Sequence, residues 1–267
     1  MDQITQGKVL LHRVTIPEGS TVRDIARALA RLDLVREEQV LELTTDPDFI
    51  RALGLQADSL EGYLFPETYH FARRQSARSM LKAMVRQFQA HFPDAQLARG
   101  RRLGLGPRQI VILASMVEKE AVVDGERPLI AAVFLNRLKR DVPLQSDPTA
   151  VYDLPDFSGP ITHAHLQRQS PYNTYQIRGL PIGPICNPGV KSLQAALDPE
   201  DVPYHYFVSN NDGTHQFSET LEEHNKALEQ TVQERTAELR ESEARYRSLT
   251  ELASDWYWEQ DENGSFT

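Results

Sequence analysis

The stretch GPRQIVILASMVEKEA, residues 106–121, predicts the helix on which the fold depends. Pro107 suits the first turn of a helix, because the N–H that it lacks is not needed there. Residues 111–117 are almost all apolar, so a carboxyl at the end of this helix should lie at the rim of a core. Glu118 and Glu120 are about 200° apart around the helix axis. We therefore expect these two acids on different faces rather than as a catalytic pair.

The residues before this helix predict a small module of strands and helices. Residues 8–16 alternate loosely in polarity, as a half-buried strand does. Thr21 and Asp24 form a capping box that opens an amphipathic helix, and another helix is expected over 36–44, with a short one after it. The aromatic segment 62–71 is extended and should return to the first strand. The fold class predicted from this pattern is α+β.

The residues after the central helix predict further helices and a long irregular stretch. Helices are expected over 126–138 and 191–197 after the central helix, and another is expected over 76–92 before it. Residues 143–188 are rich in Pro, Gly, Asn, Ser and Tyr, and about 45 residues with so little regular pattern are typical of functional loops. We expect a binding groove in this stretch.

A hairpin and a long charged helix end the predicted elements. The hairpin strands are expected over 204–209 and 214–218, and a capping box at Thr220 and Glu223 opens a helix that continues to about residue 253. The helix carries apolar residues seven positions apart, namely Val232, Leu239 and Tyr246. This spacing fits a short coiled-coil seam or a solvated helix with chance spacing.

Composition excludes several classes of function. The chain has 29 Lys and Arg against 38 Asp and Glu, a formal net charge of −9, and no basic cluster, so nucleic acid is not an expected partner. Cys186 is the single cysteine, which rules out an intramolecular disulfide. His163 and His165 have no nearby Cys or carboxylate, so no metal or other cofactor is expected. With neither a signal-peptide pattern nor ~18 continuous apolar residues, the sequence predicts no membrane segment.

Five segments carry a longer and more specific pattern. They are LEGYLFPETY (60–69), ILASMVEKEA (112–121), ERPLIAAVFLNRLKRDVPLQSDPTAVYDL (126–154), SPYNTYQIRGLPIGPICNPGVKSLQAALDPE (170–200) and YHYFVSNNDGTHQFSETLEEHN (204–225). Together they resemble the endolytic murein transglycosylase family, also called MltG or YceG-like. The resemblance implies a LysM-like module over residues 1–72, a catalytic domain over 73–228 and peptidoglycan as substrate.

The resemblance also implies a cellular place and leaves a tail outside the pattern. Members of the family are tethered by an N-terminal membrane helix at the periplasmic face of the inner membrane, and peptidoglycan synthases are candidate partners. Residues 229–267 resemble instead a signalling helix followed by the truncated start of a PAS sensor domain. An isolated first strand of that kind would expose Trp256, Tyr257 and Trp258.

Cleavage of a glycosidic bond needs a proton donor, and a carboxylic acid with a raised pKa suits that task. By the resemblance, Glu118 corresponds to the catalytic glutamate of the VEKE motif. The resemblance further implies that the C6 hydroxyl of the muramyl residue attacks its own C1, which leaves an anhydro end. One glutamate can then serve as acid and as base, because the nucleophile is already in place.

The substrate-binding groups are expected mainly in the loops. Amide, hydroxyl and aromatic side chains suit N-acetyl sugars, and the candidates are Gln145, Ser146, Asp147, Tyr172, Asn173, Thr174 and Tyr175. Asp147 is also explained as an N-cap or turn residue, and the tyrosines as core residues. Glu67 is a further candidate from the LEGYLFPETY segment, or else part of a salt bridge at a domain junction.

Two other classes of function stay open from the sequence. In the first, the LysM-like module binds peptidoglycan and the second domain is inactive. In the second, the chain is a sensory protein whose tail, residues 229–267, transmits a signal from a wall-binding region.

Overall fold

The computed structural model describes residues 11–255 of the 267-residue chain, and their side chains as far as residue 250. Two compact units are present, one ending at His205 and one beginning at Tyr206. The mixture of many helices with two small antiparallel sheets confirms the α+β prediction.

The elements of the first unit are β1 (Leu11–Thr15), α1 (Val22–Ala30), α2 (Glu37–Thr44), α3 (Pro47–Ala52), β2 (Thr68–Ala72), α4 (Ala77–His91), α5 (Asp94–Leu97), α6 (Pro107–Glu120), α7 (Arg127–Lys139), α8 (Asp147–Val151), α9 (His163–Gln167) and α10 (Val190–Leu197). Short 3₁₀ helices lie at Ala98–Leu103 and Asp124–Glu126. The second unit contains β3 (Tyr206–Ser209), β4 (His215–Ser218) and α11 (Leu221–Asp255).

The N-terminal part is built around a two-stranded sheet. Strands β1 and β2 pair antiparallel, with Val14 opposite Tyr69, as the returning aromatic segment predicts. The predicted capping box opens α1: the Thr21 hydroxyl accepts the Asp24 N–H, and the Asp24 carboxylate accepts the Thr21 N–H. Apolar residues of α4 belong to the same core cluster as Val14 and Ile25. The domain boundary after residue 72 stays a prediction.

Helix α6 runs through the centre of the first unit. Residues 110–117 are all buried, because the helix packs against α7 on one side and α10 on another. Burial of each large aliphatic side chain of this kind contributes about 1.5–3 kcal/mol to folding. Ser115 is the polar exception: its hydroxyl donates to the Ile112 carbonyl oxygen and accepts the Ile185 N–H, which attaches the loop before α10 to the helix.

Gly62 lets the chain pass close to α6. Its φ of +87° lies in the left-handed region, and a Cβ at this position would lie 2.7 Å from both Pro184 Cγ and Val111 Cγ1. Any side chain would therefore meet both a backbone penalty and a steric one. The turn that contains Glu61 is thus held against α6.

The long irregular stretch is a structured loop region that contains the short helices α8 and α9, which the sequence did not predict. Buried polar side chains stabilise this region through hydrogen bonds. The buried Asn173 amide donates to the carbonyl oxygens of His165, Leu166 and Arg168. The buried hydroxyls of Thr149 and Thr174 lie 2.8 Å apart.

The second unit consists of the predicted hairpin and the long helix. Strands β3 and β4 pair antiparallel, and Asn211 and Gly213 adopt positive φ in the turn between them. On α11 the exposed fractions of Val232, Leu239 and Tyr246 are 62%, 61% and 70%. Over the described residues no helix has the length and apolar character of a membrane span. The predicted PAS-like strand around Trp256 lies outside the described residues.

Candidate functional site

The last turn of α6 directs its two carboxylates toward different surroundings. Glu118 contacts groups on α7 and at the start of α10, whereas Glu120 contacts the loop that leads into α8. This confirms the prediction that the two acids do not share a face. The two surroundings differ in chemistry as well as in position.

Glu118 lies in an ion-pair network. Its side chain is only 6% exposed; one carboxylate oxygen accepts the Gly189 N–H at 2.9 Å, and the other lies 3.4 Å from Arg127 Nη2. Arg127 is 7% exposed and also donates to Asp124 and to the Ser192 hydroxyl. Such contacts are typical of a carboxyl group that holds structural elements together.

Glu18 lies beside this network. Burial raises the pKa of its carboxyl, and repulsion by Glu118 adds to the rise. The cations Arg127 and Lys191 act in the opposite direction. The Glu118 side of the helix therefore already contains fixed charges of both signs.

Glu120 has no cation as a hydrogen-bond partner among residues 11–250. As a residue it keeps some exposure, but its carboxyl is enclosed by protein, and burial raises its pKa to about 7. The negative charge of Asp147 raises this pKa further, while a hydrogen bond from the Ser146 hydroxyl lowers it. A carboxyl with these properties keeps a proton that it can donate near neutral pH.

Five of the predicted substrate-binding residues lie on the Glu120 side. They are Ser146 and Asp147, which act on Glu120 itself, and Gln145, Thr174 and Tyr175. The Ser146 N–H donates to the Thr174 hydroxyl at 2.9 Å, and the Gln145 N–H donates to the Thr174 carbonyl oxygen at 3.2 Å. The Tyr175 hydroxyl donates to the Asp147 carboxylate at 2.5 Å. Asp147 is the first residue of α8 and Ser146 occupies the N-cap position, so the explanation of Asp147 as an N-cap is wrong.

The other three predicted binding residues lie elsewhere. Asn173 is fully buried, and its amide donates hydrogen bonds to carbonyl oxygens of the same loop. The Tyr172 ring packs on that of Tyr152, with ring centroids 4.7 Å apart. Glu67 is exposed at the start of β2, and its carbonyl oxygen accepts the Ile16 N–H. Its carboxylate makes no hydrogen bond or ion pair within the described part of the chain.

Glu61 is a buried acid that the sequence analysis passed over. It is 2% exposed and accepts hydrogen bonds from the Val22 N–H, the Tyr152 hydroxyl and the Asn187 amide. Burial raises its pKa to about 7. The same Asn187 amide donates to the Ser20 carbonyl oxygen, and its oxygen accepts the Leu64 N–H. These bonds join three distant segments of the first unit.

Cys186 is buried, with its sulfur 3.3 Å from the Ser115 carbonyl oxygen. Within the described residues no group of three or more His, Cys, Asp or Glu side chains is arranged to hold a metal ion.

Comparison with known proteins gives a consistent result. The sequence matches the YceG-like family over residues 1–230. It is 34% identical over 235 residues to the endolytic murein transglycosylase of Bacillus subtilis (strain 168), a match that covers 82% of this chain and 65% of that protein. The identity with the endolytic murein transglycosylase of Streptococcus pneumoniae serotype 2 is 28% over 250 residues, or 84% of this chain and 45% of that protein.

The fold has a close counterpart among solved structures. The crystal structure of a YceG-like protein from Listeria monocytogenes matches with a TM-score of 0.72 and 36% identity, covering 81% of this chain and 75% of the other. The curated relatives are longer, and this chain spans between about half and about two thirds of their length.

Proposed function

We propose, from the premise that the chain belongs to the YceG-like family, that it cleaves the glycan strands of peptidoglycan internally as a lytic transglycosylase. The relatives from B. subtilis and S. pneumoniae are named endolytic murein transglycosylases. The bond cleaved is the one between N-acetylmuramic acid and N-acetylglucosamine, and the product is an anhydro-muramyl end.

The observation that carries this proposal is the enclosure of the Glu120 carboxyl within the cluster of loop residues, where the Ser146 hydroxyl is its hydrogen-bond partner. Its pKa of about 7 keeps a large share of the carboxyl protonated at neutral pH. The surrounding side chains of Ser146, Asp147 and Tyr175 offer hydroxyl and carboxylate groups of the kind that bind sugar hydroxyls. Glu120 is therefore our candidate for the acid.

The proposed reaction uses this one carboxyl twice. Glu120 donates its proton to the glycosidic oxygen as the bond from that oxygen to C1 breaks, which releases the N-acetylglucosamine hydroxyl. The resulting carboxylate accepts the proton of the muramyl C6 hydroxyl as its oxygen bonds to C1. An intramolecular nucleophile needs no positioned water, so a second catalytic carboxylate is not required.

The sequence prediction that Glu118 is the acid stays a prediction, and its contacts favour another role. With Arg127 and the Gly189 N–H as partners, Glu118 is suited to fix the start of α10 against α6. We propose Glu118 as a positioning residue. Gln145, Thr174 and Asn173 would shape the loop, and contact with sugar is proposed for Ser146, Asp147 and Tyr175.

We also propose the other properties that the resemblance implies. They comprise a LysM-like module over 1–72, a catalytic domain over 73–228, action at the periplasmic face of the inner membrane, and peptidoglycan synthases as partners. For the tail over 229–267, which lies outside the family pattern, we propose a signalling helix and a truncated PAS-like start. The match to the YceG-like family, which ends at residue 230, supports the limit placed before the tail.

Digestion of purified sacculi, with mass spectrometry of the products, tests the proposal. We expect anhydro-muramyl ends from the wild type and none above background from Glu120→Gln. Reducing muramyl ends would indicate hydrolysis. Binding to sacculi without any cleavage would instead make the chain a peptidoglycan-binding protein.

A further inference from the structure

A cavity of about 210 Å³ lies between the first turns of α1 and the segment around α8. Arg23 and Arg27 of α1 line one part of it, Lys119 of α6 another, and Tyr152 and Phe157 supply aromatic surface. None of these residues belongs to the Glu120 cluster described above. The cavity combines cationic groups with an apolar wall.

Two cations of this cavity have no partner among the residues that the structure describes. Its acids are occupied: Asp24 accepts the Thr21 N–H and hydroxyl, and Asp156 forms an ion pair with Arg27. Arg23 and Lys119 make no hydrogen bond or ion pair with any residue from 11 to 250. Arg23 acts at longer range on the buried Glu61 carboxyl and on the Tyr152 hydroxyl. A ligand with a carboxylate group would satisfy these two cations.

The position of the cavity connects it to the proposed chemistry. Lys119 lies between Glu118 and Glu120 on α6, and the lining residue Pro148 follows Asp147 directly. Two lining residues are therefore adjacent in sequence to the candidate acid and to its neighbour Asp147. In peptidoglycan the peptide stem, which carries free carboxylates, is attached to the same muramyl sugar whose C1 bond is cut.

We propose that this cavity binds the carboxylate-bearing peptide stem of the muramyl residue undergoing cleavage, with Arg23 and Lys119 as the anion-binding groups. The inference rests on the proposed function for the identity of the substrate. It adds a specificity: strands with stems are bound and cleaved better than bare glycan.

The test compares glycan strands that carry stems with the same strands after an amidase has removed them. Dissociation constants and kcat/KM are measured for the wild type, for Arg23→Gln/Lys119→Gln, and for Lys82→Gln/Arg86→Gln. The last variant removes the same charge from exposed positions of α4. Thermal unfolding of all three proteins checks that each is folded.

We expect the wild type and the α4 variant to prefer stem-bearing strands by about tenfold, as two charge-assisted contacts allow. The cavity variant should lose this preference and keep wild-type values on bare strands. A preference that survives in the cavity variant, or equal losses on both strands, would overturn the inference. So would equal binding of both strands by the wild type. A wild type that binds stems preferentially but cleaves neither substrate would support the stem site and contradict the proposed enzyme.

Discussion

The two sides of the last turn of α6 hold acids only two positions apart, yet they are built differently. The Glu118 side is made by helices α7 and α10, which supply a cation and a main-chain N–H. The Glu120 side is made by a loop, which supplies a hydroxyl and a nearby carboxylate. Burial is common to both sides. The identity of the partners therefore decides which acid is suited to donate a proton.

The largest effect is expected from Glu120→Gln. Glutamine keeps the size and the hydrogen-bond acceptor but removes the transferable proton, and positioned acid–base catalysis contributes ~10²–10⁴-fold. Glycan cleavage should fall by that factor while binding to sacculi persists. Glu118→Gln serves as the matched control on the same helix. If Glu118→Gln abolished cleavage and Glu120→Gln retained it, the assignment would return to Glu118.

The free energy of unfolding should depend on pH because the carboxyls of two glutamates are buried. Glu61 and Glu120 both have a pKa raised from 4.5 to about 7, so the folded state binds their protons more tightly than the unfolded state does. Their contribution lowers the free energy of unfolding as pH rises from about 4.5 to about 7, on the order of 3 kcal/mol for each group. Chemical denaturation between pH 5 and 8 should show a flatter dependence for Glu61→Gln and for Glu120→Gln.

The pH dependence of the rate should separate these same two acids. Because the proposed donor must be protonated, kcat/KM should decline as pH rises through about 7, the pKa of Glu120. Glu61→Gln should leave the position of this decline unchanged. A decline that disappeared in Glu61→Gln would transfer the donor role to Glu61.

A smaller effect is expected from Glu118→Gln, and mainly on stability. The change leaves Arg127 nearly buried with Asp124 as its remaining anionic partner, so the free energy of unfolding should fall by about 1–3 kcal/mol. Activity at a temperature well below the melting point should fall less than in Glu120→Gln. Urea denaturation and the sacculus assay measure the two quantities. Unchanged stability would show that the ion pair contributes nothing to the fold.

Asp147→Asn should cause a modest shift, toward lower pH, of the pH at which kcat/KM declines. Its negative charge raises the pKa of Glu120, so its removal should move the alkaline decline of kcat/KM to lower pH. Asparagine still offers an oxygen to the Tyr175 hydroxyl, so the loop should keep its structure. A loss of rate as large as that in Glu120→Gln, with reducing ends among the products, would indicate a two-carboxylate hydrolase instead.

Truncation after residue 230 is expected to have the smallest effect on folding and on glycan cleavage. Beyond this point the apolar residues of α11 up to residue 250 are exposed, and the buried Ala227 is retained. Circular dichroism should show that the truncated protein is folded. In the sacculus assay, Glu120→Gln should reduce its glycan cleavage more than Glu118→Gln does, as in the full chain. An unfolded product would mean that the boundary is misplaced.

Local patterns were sufficient for most of the fold. The capping box at Thr21, the apolar run of α6 and the hairpin before α11 each depend on neighbouring residues, and each was predicted. Helices α8 and α9 were missed, since each has five residues and no apolar period to reveal it.

The candidate site was less accessible to prediction, because long-range contacts decide it. Helix geometry separates Glu118 from Glu120, but the face that meets the loop depends on Ser146, which is 26 positions away. Within LEGYLFPETY the exposed Glu67 was selected over the buried Glu61. The burial of Glu61 depends on Tyr152 and Asn187, which are 91 and 126 positions further along the chain.

Asn187 also has a consequence for how the protein is made. Its bond to the Ser20 carbonyl oxygen joins residues 167 positions apart. At a synthesis rate of about 5–20 residues per second, Ser20 is added to the nascent chain roughly 8 to 33 s before Asn187 is added. From its own synthesis until that of Asn187, the Glu61 side chain likewise lacks the Asn187 amide. The bonds that join the beginning of the first unit to its end therefore form late on the ribosome or after release from it.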